Sequence, residues 1–309
     1  MLAGVAARIR KAASFDSLSL SQCNSEAVRA SLLNSWGTEV LLALAGSYGL
    51  QDEIVRLSNN WAVVQLYYAV CHSTRALILA KKGAPPQTHP STRSQFVTLW
   101  VQPAGASELT PLSLAYGARG PANVPAGVVI DEQMHEWTTC TGATCWSLAV
   151  KALRTTRSDE LKRKLDAKRG AKGKARRDKW LKDEQDKRAR GGRVRSEPQW
   201  TRPNLTRSEK QEVDRRLRDY SLIDYLFRMR IRSNYDDVSM FSDGPEDDTV
   251  STRVHADLIH IAAASSLTHE LHIMKLVGRE TFLHWVDEWL TNNYPSPVLL
   301  GLRARRDLL

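Results

Sequence analysis

The sequence predicts a mostly α-helical protein, a helical bundle broken by a Pro/Gly-rich insertion and by a basic arm that is helical or partly disordered. Three observations predict it. Apolar residues recur every three or four positions over long stretches of both halves, the spacing that lines one face of a helix. Seven of the twelve prolines fall between residues 84 and 125. Residues 151–200 are dominated by Lys, Arg, Asp, Glu and Ala and hold too few apolar anchors to fold alone. At 309 residues the chain has room for one large domain or two modest ones, with a sizeable core.

Residues 1–83 read as the first half of the bundle. The helical pattern starts at Ser31-Leu32-Leu33 and Val40 to Leu44 and leads to a strong segment in which Leu57, Trp61, Val64, Tyr68, Cys71 and Ile78 share one face. Gly83 closes it in a left-handed conformation, and Pro85-Pro86 cannot continue a helix. Residues 84–150 read as a loop-rich insertion without long helices, because Gly105, Gly117, Gly120 and Gly127 interrupt the apolar stretches. Within it, Phe96 to Val101 and Val128 to Ile130 fit strands or half-buried turns. Residues 151–205 form the basic arm, anchored only by Leu161, Leu165, Trp180 and Leu181.

Residues 206–309 supply the second half. Thr206 and Glu209 have capping-box spacing. Val213, Leu217, Tyr220, Ile223, Phe227, Ile231, Tyr235, Val238 and Phe241 then repeat at three or four up to Gly244-Pro245, as in one long helix or a kinked pair. A third run covers Val254 to Val277 and stops at Gly278; a fourth covers Glu280 to about Asn292 and stops at Pro295.

The charge is concentrated. The chain has 44 Lys plus Arg against 34 Asp plus Glu, a net +10, and residues 151–200 alone hold 19 against 8. That local +11 leaves −1 for everything else, and i, i+4 pairing along a helix absorbs balanced charge rather than an excess. Arg176, Arg177, Lys187, Arg188, Arg190, Arg193 and Arg195 offer clustered phosphate contacts, with Trp180 and Trp200 available to stack on unpaired bases. RNA or DNA is the expected partner; an acidic protein or a plain solvated arm are the alternatives. No apolar run approaches the ~20 residues of a membrane span, and Arg8 and Arg10 interrupt the start before a signal-peptide core develops. Four cysteines without a dense framework suit a reducing compartment. A cytoplasmic protein without a membrane partner is expected.

Residue types that hold metals occur without the spacing of a site. His135, Cys140 and Cys145 lack a Cys-x2-Cys knuckle and a fourth ligand. Among His255, His260, His269 and His272, His260 and His269 fall about 180° apart on one helix, and His269 and His272 lack facing carboxylates despite Asp257 and Glu270 nearby. These read as bundle-face histidines, and no metal is assigned. The sequence also contains no Gly-rich phosphate loop and no Gly-x-Ser-x-Gly elbow, so no cofactor is expected.

Two stretches resemble the HEPN-type helical domains. The first is Ser58-Asn59-Asn60-Trp61 through Leu66-Tyr67-Tyr68-Ala69-Val70-Cys71-His72-Ser73-Thr74-Arg75-Ala76-Leu77, then Lys82-Gly83, Thr88-His89-Pro90 and Phe96. The second is Leu226-Phe227-Arg228-Met229-Arg230-Ile231-Arg232-Ser233-Asn234-Tyr235-Asp236. Together they cover about 60 of the 309 residues. The resemblance implies a four-helix bundle that commonly dimerises, and a prokaryotic defence or toxin-like role. Many such proteins are metal-independent endoribonucleases with an Arg, four to six residues, then His, often followed by x-Tyr. On this sequence Arg228 takes the Arg place and Tyr235 the Tyr place, while Ser233 stands where the His belongs.

Metal-free RNA cleavage needs a base, a proton donor and cations around the phosphate, and His serves the first two. Ser233 cannot act as a base unaided; Arg228, Arg230 or Arg232 can hold a phosphate by paired donors. Arg228, Arg232 and Tyr235 stand at i, i+4 and i+7 on one helix face. Two guanidinium groups there call for an anion between them, a phosphate or a carboxylate such as Asp224 or Asp236. Two other Arg-to-His pairs have the required spacing, Arg253 to His260 and Arg279 to His284, about as many as chance supplies. Arg279 follows Gly278 at a helix start, where backbone N–H groups help bind phosphate; the alternative is a surface Arg and a half-buried His beside Trp285 and Trp289. The sequence thus points to a nucleic-acid-interacting component of a defence or toxin-like system, an endoribonuclease if catalytic. The alternative is a non-catalytic helical adaptor that binds a partner protein; a homodimer or a complex with a partner protein is expected.

Overall fold

A computed structural model describes residues 2–47, 52–103, 106–109, 111–131, 142–233, 248–293 and 301–309, and the chain there is mostly α-helical. The helices are α1 (Leu2–Lys11), α2 (Ala13–Asp16), α3 (Ser25–Ser47), α4 (Asp52–Lys82), α5 (His89–Trp100), α6 (Gly142–Ala189), α7 (Arg207–Arg216), α8 (Leu222–Ile231), α9 (Asp248–Val277), α10 (Arg279–Asn292) and α11 (Leu302–Arg306). A 3-10 turn (Ala106–Leu109) and the strands β1 (Ala115–Gly117), β2 (Gly120–Ala122) and β3 (Tyr220–Ser221) complete the description.

Helix α4 is the axis of the bundle, because most of its side chains from Ala62 to Ala80 are apolar or small and all sides of it are packed. Helices α3, α9 and α8 surround it. Leu66, Tyr67, Val70, Ala76 and Ile78 are fully buried. A single buried stripe is therefore too narrow a description, and Trp61, expected on it, is 65% exposed. Tyr67 meets Phe227 of α8 with ring centroids 5.6 Å apart, so the two halves of the chain pack on each other across the intervening segments. Helix α9 ends where predicted, at Gly278, whose φ of +93° disfavours a side chain.

The core also encloses an ion cluster. Arg305 of α11, with no exposed side-chain surface, donates to Glu39 of α3 at 2.5 and 2.8 Å and to Glu270 of α9 at 2.8 and 2.9 Å. Trp36 Nε1 donates to the same Glu270 at 2.9 Å. One cation between two buried carboxylates leaves a negative excess, and burial pushes the Glu39 carboxyl above its usual range despite Arg305.

The insertion departs from the loop reading. Residues 89–100 form α5, not strands or turns, because Pro90 lies in the first turn, where its missing N–H costs nothing. Thr88 caps that turn by accepting the Ser91 N–H at 3.3 Å, and Phe96 and Trp100 are buried. Val128 to Ile130 have no regular structure. The antiparallel sheet, ordered β2-β1-β3, pairs Ala115 with both Ala122 and Ser221. A Cβ at Gly117 would stand 2.0 Å from Asp219 Oδ1, so a side chain there would have to move the Asp219 carboxylate aside.

The arm is ordered by contacts from outside itself. Helix α6 is 48 residues long, about 70 Å at 1.5 Å per residue. After a turn at Gly191, residues 192–205 run back along it: Arg195 N–H donates to Glu184 at 2.8 Å, Trp200 meets Trp180 edge-on at 6.1 Å, and Pro203 lies against Gly173. Then α7, with the predicted Thr206/Glu209 capping box, pairs Glu209 with Lys172, Glu212 with Lys168 and Asp214 with Arg157. The expected long helix or kinked pair from Val213 to Phe241 is, in its described part, two helices: the chain turns extended at Leu217 and enters β3 before α8 begins. Its last part, residues 234–247, lies outside the described residues, as does Pro295.

Candidate functional site

Two basic features stand out, one on the arm and one on the bundle. On the arm, Glu209, Glu212 and Asp214 of α7 pair with Lys172, Lys168 and Arg157 on the half of α6 nearest the bundle. The far half receives no carboxylate from α7 among the described residues, and residues 174–195 carry 10 Lys/Arg against 4 Asp/Glu. Arg188, Arg190, Arg193 and Arg195 are exposed there, and among the described residues none of their side chains forms an ion pair. Arg177 pairs with Glu197 at 2.8 Å and Lys187 with Glu184 at 2.5 Å. Trp180 and Trp200 are half-buried on each other, Arg176 stands over the Trp200 ring at 5.6 Å, and Trp200 Nε1 donates to Glu197 at 2.9 Å. The indoles thus hold the return limb to the helix, which removes them as free platforms for bases.

On the bundle, α4, α5 and α8 bring together residues that sequence spacing keeps apart. His89 Nδ1 shares a 2.7 Å hydrogen bond with the buried Tyr67 hydroxyl and lies 3.9 Å from Cys71 Sγ. The His89 ring packs against Tyr67, Tyr68 and Phe227 with centroids 5.5 to 6.0 Å away. Arg93 stands over Phe227 at 4.0 Å, and Arg230 over Tyr68 at 5.1 Å, Tyr67 at 5.5 Å and Phe227 at 5.6 Å. His72 stacks on Tyr68 at 6.0 Å.

The electrostatics are one-sided. Burial lowers the His89 pKa, and Arg230, Arg93 and Arg75 lower it further, so His89 is neutral at pH 7. His72 is lowered by burial, Arg75 and His89. Burial raises Tyr67 and Cys71, which keeps the phenol and the thiol protonated. The nearby carboxylate is Asp224, fully buried, and it is shared between Arg93 Nη1 at 3.2 Å and a two-point contact from Arg218. Arg75 and Arg230 have no ion pair among the described residues, and the Nε atoms of Arg93 and Arg230 are buried without an acceptor.

The residues singled out from sequence are scattered. Arg228 pairs with Asp159 of α6 at 2.5 Å, so the carboxylate expected on that face comes from the arm; Asp224 serves Arg93 and Arg218 instead. Arg232 caps α8, and Tyr235 lies outside the described residues. Arg279 and His284 are exposed on α10, which packs on α9, α11 and Trp36 of α3, whereas α8 packs on α4, α5 and α6. His284 is therefore not half-buried beside Trp285. Of the four α9 histidines, His269 is fully buried, donating its Nδ1–H to Ser265 O at 2.6 Å and accepting the Trp100 Nε1–H on Nε2 at 3.2 Å. His135 and Cys140 lie outside the described residues, Cys145 is exposed, and no cluster of three potential metal ligands occurs among the described residues.

Spacing arguments missed His89, Arg75 and Arg93. The available signal was Thr88-His89-Pro90, a cap followed by a first-turn His, lying in the same resemblance as Tyr67-Tyr68. No family model matches the chain, and no curated protein or solved structure matches it. No described helix is long and apolar enough to cross a membrane.

Proposed function

We propose that this chain is a HEPN-like nucleic-acid-binding protein that grips the phosphate backbone with the far half of its arm. The observation that carries the reading is the unneutralised charge of residues 174–195, exposed on a helix and a return limb that hold each other through Glu184–Arg195 and Trp180–Trp200. Because Trp180 and Trp200 are engaged with each other, the contact is to phosphates and is indifferent to base sequence. The charge attracts RNA and DNA alike, and the defence or toxin-like setting belongs to the same proposal.

Changing Arg188, Arg190, Arg193 and Arg195 together to Gln tests it, since these side chains support no packing. The slope of log affinity against log salt is expected to fall by about 0.7–0.9 per lost phosphate contact, close to three units for four. Equal affinity and equal slope in the variant would remove the arm from binding. A second reading, a non-catalytic adaptor, is favoured by one observation: Arg228, in the position of the family's active Arg, is tied to Asp159. RNA binding separates the two, because the first reading requires salt-dependent affinity and the adaptor reading does not; incubation with mixed RNA in EDTA then tells whether bound RNA is also shortened, as by an endoribonuclease, or left whole.

A further inference from the structure

We infer that the cluster formed by His89, Arg75, Arg93 and Arg230 on α4, α5 and α8 is a binding site for a phosphate group. The inference stands apart from the arm, because it rests on different residues. Four arginines, counting Arg218, meet at the junction of these helices with one buried carboxylate, Asp224, between two of them. Like charges so placed repel unless an anion joins them, and two guanidinium Nε atoms already stand buried without an acceptor. Tyr67, Tyr68 and Phe227 supply a rigid aromatic floor that fixes Arg230 and Arg93 in position, so little side-chain freedom is lost on binding.

His89 completes the site. We assign the Tyr67 hydroxyl, held as a neutral phenol, as donor to Nδ1 across their 2.7 Å contact, an assignment that leaves Nε2 carrying the hydrogen. Nε2–H has no protein acceptor among the described residues and is available to a phosphate oxygen. The groups facing this ring are Tyr67, Tyr68, Cys71, His72 and Arg75 from α4, Arg93 from its own helix, and Phe227 and Arg230 from α8. No carboxylate is among them; Asp224 holds Arg93 through Nη1, and Arg75 and Arg230 have no ion pair among the described residues. A free phosphate ester and a phosphate within a strand present the same oxygens, and the experiment separates them.

The test follows the His89 ring by NMR in the full chain, in chloride buffer, with inorganic phosphate, a nucleoside 5′-monophosphate or a short oligonucleotide. An anion beside imidazole favours the charged form, so the His89 midpoint is expected to rise by about one pH unit or more at saturation. Arg230→Gln and, separately, Arg75→Gln are each expected to weaken the response about tenfold. The quadruple arm variant is expected to leave the response to the two small phosphates unchanged, which keeps failure here distinct from failure of the arm. A response to the small phosphates identifies a free phosphate ester as ligand; a response to the oligonucleotide alone identifies a strand. If none of the three moves His89 at about 10 mM phosphate, or if Arg230→Gln responds as strongly as the unchanged protein, the site does not exist.

Discussion

Replacing Arg305 by Ala removes the only cation that, among the described residues, contacts two buried carboxylates, and leaves both in place. Glu39 is 3% and Glu270 0% exposed, and Arg305 supplies four charge-assisted hydrogen bonds to them. Breaking a buried pair by removing one partner costs about 3–5 kcal/mol, most of it the uncompensated charge left behind. At roughly 2–4 °C per kcal/mol for a chain of this order of size, the melting temperature at pH 7 falls by about 6–20 °C. The sign of the pH dependence is the sharper check. Without Arg305 the two carboxyl groups face each other, so the folded state takes up a proton more readily than the unfolded one, and the deficit shrinks as pH falls from about 7 toward 5. Glu39→Gln in the Arg305→Ala background removes one of the two charges and is expected to recover part of the loss at pH 7. Circular dichroism melts at three pH values measure all of this. A deficit of less than about 1 °C, or one that stays constant with pH, would show that the cluster is not the closed ion network described.

Tyr67→Ala is expected to cost about 3–5 kcal/mol, as truncation of a fully buried aromatic does. Tyr67→Phe, which removes only the hydroxyl held by His89, is expected to cost about 1 kcal/mol; equal losses in urea titrations of the two would deny that the ring is packed. His269 and His272 give a prediction for acid: burial lowers them to about 3 and about 4 from the ordinary 6.5. A histidine depressed on folding contributes stability above its unfolded pKa and loses it as pH falls, so each subtracts about 1.4 kcal/mol per pH unit below about 6.5, until its folded pKa is reached. Replacing His272 by Gln is expected to flatten that slope in calorimetric scans between pH 6.5 and 4.5, and an unchanged slope would refute the assignment.

Much of the helical framework was legible because its signals are local. Gly83 and Gly278 stop α4 and α9 through backbone conformations readable from single residues, and Thr206 with Glu209 opens α7 by a box three residues wide. Errors arose where local and tertiary signals conflict. The prolines before α5 look like breakers, yet Pro90 occupies the one turn of a helix that tolerates it. Trp61 has the right step to share a stripe with Tyr68, but the helix buries nearly every side from Ala62 to Ala80, so a three-to-four step does not tell which position faces solvent. The arm seemed unable to fold alone, and the carboxylates that steady its near half, Glu209, Glu212 and Asp214, lie outside the segment whose charge was counted.

The site was legible only in fragments, and the reason is geometric. Periodicity relates residues a few positions apart on one element, so it placed Arg228, Arg232 and Tyr235 on a common face and could go no further. Arg93 and Asp224 are 131 positions apart, and Tyr67 and His89 are 22 apart on different helices. Such contacts follow from how α5 and α8 pack on α4, which no spacing rule encodes. The same packing reassigns the arginines of α8: Arg228 turns to the arm and Asp159, while Arg230, two residues on, turns to Tyr67, Tyr68 and Phe227 on the opposite side. On a helix, positions two apart point in widely different directions, so one arginine being structural says nothing about its neighbour. The basic cluster on the bundle thus gathers around Arg230 and His89, and a pattern of Arg followed four to six residues later by His does not describe it, because Arg75 and Arg230 lie on α4 and α8 and Arg93 follows His89 on α5.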